Sequence, residues 1–135
     1  MTTMATHGGT TTLADTVDLR VPADPAYLAV IRTATAGLAA RLNLTLDEIE
    51  DMRIAVDEAC VLLLSDSPEP GDGLHAAFTI TPTALDVQVT GPARVLPEGG
   101  NFAWSVLEAL VGRVETGTTP TGSWIRLTHI GGRRA

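Results

Sequence analysis

Three kinds of side chain in this 135-residue chain could do chemistry: one thiol, three imidazoles, and carboxylates set among apolar neighbours. Cys60 has no second cysteine for an intrachain disulfide. To act as a nucleophile it would need a thiolate, which cationic surroundings favour and apolar ones oppose. Its neighbours Ala59, Val61 and Leu62 are apolar, so Cys60 reads as a small buried hydrophobe. His7, His75 and His129 show no metal-ligand spacing, and no metal site is expected. Glu58 stands apart. Asp51, Ala55, Glu58 and Leu62 recur at steps of three or four, which places this carboxylate between small and apolar neighbours along one side of a helix.

That helix is the element the chain is organised around. Thr45 and Glu48 make a T-x-x-E capping box, in which the threonine oxygen takes a first-turn amide and the glutamate reaches back to the cap amide. Ile49, Met52, Val56, Ala59 and Leu63 then form a core-facing stripe. Before it, Val17, Leu19 and Val21 alternate with polar residues as a strand with one wet face. Asp24 followed by Pro25 starts a first helix that is expected to run to about residue 42, with Leu28, Ile31, Leu38 and Leu42 inside. Its many alanines leave little polar surface. Either it packs on two sides, the second against another subunit or partner, or the alanines reflect composition alone.

After the central helix, residues 67–73 are dense in proline and glycine and read as a loop. Ala76, Phe78 and Ile80, then Leu85, Val87 and Val89, alternate on either side of a Thr81-Pro82-Thr83 turn, as in a hairpin. A third helix is expected from about residue 102 to 114, with Phe102, Val106, Leu110 and Val114 along one side. A threonine and glycine loop leads to a last strand over 123–129. Residues 1–14 lack periodicity and read as a disordered tail, 15–130 as one domain, and 131–135 as a short tail. With one apolar face per strand, the expected fold is an α+β two-layer sandwich. Its mixed, mostly antiparallel sheet of four to five strands carries all three helices on one face.

Composition narrows the function classes. Acidic residues outnumber basic ones 16 to 9, the net charge is −7, and there is no lysine, so a nucleic-acid surface would be hard to assemble. No apolar run reaches membrane-spanning length and the N-terminus has no signal-peptide pattern, so no membrane association and a cytoplasmic location are expected. Between residues 43 and 72 there are nine acidic side chains and one arginine, Arg53. This is either a solvated face or a match for a basic partner.

The segment RIAVDEAC, residues 53–60, resembles the signature helix of the histidine-kinase-like (GHKL, Bergerat-type) ATPase fold, in its anti-sigma-factor and serine-protein-kinase branch. There the motif continues E-A-x-x-N, the glutamate serving as general base and the asparagine holding magnesium. This chain has Glu58, but Leu62 where the asparagine belongs. The resemblance assigns the adenine-reading aspartate to Thr90, followed by Gly91. It assigns the phosphate-binding G-x-G to Asn101, Phe102 and Ala103, with Gly99 and Gly100 just before, and a Gly-Thr pair to Gly122 and Ser123. Only Glu58 and the Gly-Ser pair persist, so no cofactor is expected, and ATP with magnesium only if the cleft functions.

What the resemblance implies is an anti-sigma factor that sequesters an alternative sigma factor by binding and is released by a STAS-type antagonist. The alternative it leaves is an active ATP/Mg-dependent serine protein kinase that phosphorylates that antagonist, with Glu58 catalytic. Family members pair through the first strand and first helix. A homodimer or heterocomplex is therefore expected there, with Arg32, Ala36, Ala39 and Arg41 as contact candidates.

Overall fold

The computed structural model describes residues 14–130, with side chains to His129. The tails expected at 1–14 and 131–135 lie outside the described residues except for Ala14. In chain order the elements are β1 (Asp15–Pro22), a 3-10 turn (Pro25–Tyr27), α1 (Leu28–Ala39), α2 (Leu46–Leu63), β2 (Gly73–Ile80), β3 (Ala84–Gly91), α3 (Phe102–Val111), β4 (Arg113–Thr119) and β5 (Gly122–Ile130). The strands form one sheet in the order β1-β2-β3-β5-β4. All four pairings are antiparallel, so no mixed pairing occurs in this sheet.

Period-two alternation decides which sheet face is covered. Leu74, Ala76 and Phe78 of β2, Leu85, Val87 and Val89 of β3, and Ile125 and Leu127 of β5 are all buried against the helices. Arg20, His75, Thr90 and Arg126 point the other way, onto a polar face that none of the described helices covers. Two layers result, as expected. Helix α2 lies at the centre of the helical layer, packed on α1, α3, β3 and β5. Its capping box forms as the sequence requires: Glu48 N–H donates to Thr45 Oγ1 at 3.1 Å and Thr45 N–H to Glu48 Oε1 at 2.8 Å.

Three expectations change. The first helix begins as a 3-10 turn capped by Asp24 and ends at Ala39, because Arg41 and Leu42 bond back three residues in tighter turns. The third helix stops at Val111, where Gly112 takes φ 93° and its N–H closes on Glu108 O. Its buried residues are Leu107 and Val111, while Phe102 is 79% exposed and Val114 belongs to the next strand. Residues 113–119, expected as loop, form the edge strand β4. With one side unpaired and little of it buried, this strand needs no apolar alternation. Trp124 lies on the polar face, its indole filling the space that a Cβ on Gly117 would need.

Candidate functional site

The site is built on α2. Met52, Val56, Ala59 and Leu63 seat the helix, and an ion pair of 2.7 Å between Arg32 and Asp57 ties it to α1. Cys60 lies on the buried side, where burial, assisted by Asp57, pushes its thiol up to about 12. It packs as expected of a small hydrophobe. Glu58 is left exposed on the far side, facing a cavity of about 420 Å³ against α3. Leu62, Asn101, Phe102 and Val106 line the same cavity.

Leu62 also borders a second cavity of about 760 Å³, between the end of α2 and the loop of residues 92–101. Val61, Val95 and Leu96 supply apolar lining, and Asp66, Glu69 and Asp72 supply carboxylates. Two openings thus flank one leucine that is itself partly buried against the core. The loop is tied at both ends. Ala93 N–H donates to Leu63 O at 2.9 Å, Ser123 Oγ donates to Ala93 O at 2.6 Å, and Trp104 Nε1 donates to Pro97 O at 2.9 Å.

The residues expected to bind a nucleotide do not converge. Glu58 and Asn101 share a cavity, but Asn101 Oδ1 is engaged with Ala103 N–H at 2.8 Å, capping α3. That cap takes one of the first-turn amides a phosphate would use. Gly99 and Gly100 face an adjacent cavity of about 360 Å³ beside Trp104 and Glu108. Thr90 points away from Glu58, into an opening of about 800 Å³ lined also by Arg20 and His75. The position of β3 that faces the helices there is Gly91, and strand alternation is the reason. A Cβ on Gly91 would lie 2.7 Å from Leu63 O and 2.8 Å from Leu74 Cδ2. A Cβ on Gly122 would meet Gly91 O at 2.0 Å, and Ser123 is fully buried. Gly91 and Ser123 therefore pair β3 with β5, Gly91 is also pressed against Leu63 and Leu74, and Gly122 is pressed against Gly91. Among the described residues no group of three or more histidines, cysteines or carboxylates is placed to hold a metal ion.

The expected partner residues divide as well. Arg41 is exposed, and Arg32 and Ala36 are partly exposed. Ala39 is 0% exposed, because it continues the Leu28, Ile31, Thr35 stripe into the core, and so it cannot be a contact residue. The outer side of α1 instead shows Tyr27 just before it and Val30. The lining at Val61, Val95 and Leu96 was missed from sequence. One pattern pointed to it: the run Val61-Leu62-Leu63-Leu64 at the end of α2 is apolar on every side, and only Leu63 is fully buried.

No protein-family model matches the chain. It is similar to the serine-protein kinase RsbW of Bacillus subtilis, at 51% identity over 47 residues, covering 35% of this chain and 29% of the relative. With the serine-protein kinase RsbW of Bacillus pumilus the identity is 28% over 109 residues, covering 78% of this chain and 64% of the relative. The chain thus spans less than two thirds of the length of these relatives. A crystal structure of RsbU and RsbW domains from Mycobacterium tuberculosis superposes with a TM-score of 0.67 and 17% identity, over 90% of this chain and 34% of that one. These likenesses bear out the resemblance drawn from RIAVDEAC and the two-layer fold. No helix among the described residues is long and apolar enough to cross a membrane.

Proposed function

We propose that this chain is an anti-sigma factor that works by binding. It holds a stress- or development-type alternative sigma factor and is displaced by a STAS-type antagonist. One observation carries the reading: α2 bears the RIAVDEAC segment that resembles the signature helix of the kinase branch, yet one turn beyond Glu58 it presents Leu62, packed against the core. Phosphoryl transfer depends on exact placement of metal and phosphates, with little covalent chemistry from the protein. The residues present do not fit a magnesium nucleotide. Glu58 faces a cavity whose other lining residues include no histidine, cysteine or carboxylate, the start of α3 is capped by its own Asn101, and Thr90, at the adenine-reading position, points into a different opening.

Calorimetric titration with Mg-ATP, beside a pull-down with purified alternative sigma factors, tests this. The expected result is no heat with nucleotide and retention of a sigma factor. Micromolar, magnesium-dependent binding or phosphate transfer to a partner serine would overturn it in favour of an active kinase, with exposed Glu58 as base. Pairing through β1 and α1, as a homodimer or with the sigma factor, is part of the same proposal. Ala36→Arg adds charge to the outer part of α1 and should lower the mass in light scattering or weaken sigma-factor capture. If both stay unchanged, that contact is wrong.

A further inference from the structure

We infer that the two cavities flanking Leu62 form one docking groove for a basic, amphipathic protein segment. This inference rests on the binding-only reading of the cleft. Groove walls of this kind are ordinarily covered. Val95 is 85% exposed, Phe102 79% and Val61 48%, and all three stand at the openings. Leu62 separates the cavities of about 420 and 760 Å³, so an incoming segment meets two openings on either side of one ridge, each with apolar side chains set among polar ones. Alternate apolar side chains of a helix or strand have this arrangement.

Charge selects the occupant. Glu58 lies on one opening and Asp66, Glu69 and Asp72 on the other, against Arg94, which donates to Pro120 O at 3.4 Å. A nucleotide or any other polyanion would be repelled by these carboxylates. A second copy brings its own net charge of −7 to the same surface. The occupant that complements these walls is a separate protein that presents leucine-like side chains together with arginine or lysine. Its charges meet the four carboxylates while its apolar residues fill the openings.

Two synthetic helices serve as probes, one of leucine and lysine at three- and four-residue spacing, the other with glutamate in place of lysine. Amide shifts of the full chain should move at Leu62, Val95 and Phe102 with the lysine helix, which should bind at least tenfold more tightly than its glutamate counterpart. Val95→Ser with Phe102→Ser should weaken binding at least fivefold without changing the melting temperature, and Phe102→Leu should retain it. Equal affinity for both helices, shifts centred on α1, or indifference to the double substitution would overturn the groove. The double variant is also compared with the unmodified chain for sigma-factor capture. Capture by neither defeats the anti-sigma reading while the peptide mapping still decides the groove. Equal capture by both shows that the sigma factor docks elsewhere and removes the groove from that contact.

Discussion

Two glycine-bearing segments that the family resemblance places around one cleft behave as opposites. At Gly91 an added carbon would strike Leu63 and Leu74, and at Gly122 it would strike Gly91 O, beside the buried Ser123. At Gly99 and Gly100 a Cβ would meet nothing within 4 Å. In the first segment close packing requires the glycines, whereas in the second Gly99 has open space around it and Gly100 is favoured only by its φ of 88°. Survival of a motif residue therefore reports packing as readily as ligand binding, and only the surrounding atoms tell which.

Substitution should break this contrast at its tight end first. Gly122→Ala forces a carbon onto Gly91 O and is expected to cost at least about 3 kcal/mol, whereas Gly99→Ala should stay within about 0.5 kcal/mol. Denaturant titration of both variants checks this, and equal effects would erase the distinction. Ser123→Ala strands the buried carbonyl of Ala93 and should cost about 2 kcal/mol in the same measurement. Leu62→Asn puts an amide among carbon atoms and should cost roughly 1–3 kcal/mol without conferring ATP binding. Gain of magnesium-dependent ATP binding would show that the cleft needed only its metal ligand.

The buried thiol offers a smaller effect, one that depends on pH. Cys60 is raised from 9.0 to about 12 in the fold, so between those values the unfolded chain releases a proton that the folded chain keeps. Stability should be unaffected by this group below pH 9 and fall above it, by up to about 1.4 kcal/mol per pH unit. Cys60→Ala should flatten that slope, read from urea midpoints between pH 8 and 10.5. The smallest change is expected from Glu58→Gln: it removes one exposed, solvent-screened carboxylate of the four around the groove and should weaken binding of the lysine helix by no more than about twofold, read by titration with that helix.

How much of this was legible follows from what each segment must satisfy. Helix α2 could be read almost residue by residue, since its cap, its stripe and its free cysteine all answer to local rules. The hairpin of β2 and β3 was equally plain, because both strands bury one face and wet the other. Strand β4 was invisible: at the sheet edge its Thr-Gly-Thr-Thr run is held by pairing to β5 and carries no apolar period. The α3 stripe was misplaced because Phe102, the largest apolar residue of that helix after Trp104, overhangs the cavity. Thr90, assigned to the aspartate position by resemblance alone, points to the polar face, as the Leu85, Val87, Val89 alternation already required. Ala39 misled for another reason: alanine fits a crowded core and a smooth contact surface equally well.

The loop of residues 92–101 is anchored to α2 through Ala93, to β5 through Ser123 and to α3 through Trp104. A binder arriving over it meets a wall already in place, with no segment to order first. Encounter should then be a single step, with observed rates rising in proportion to binder concentration and reaching no plateau. Steering by the surrounding carboxylates would make those rates fall as salt is added, while dissociation, governed by short-range apolar contact, changes little.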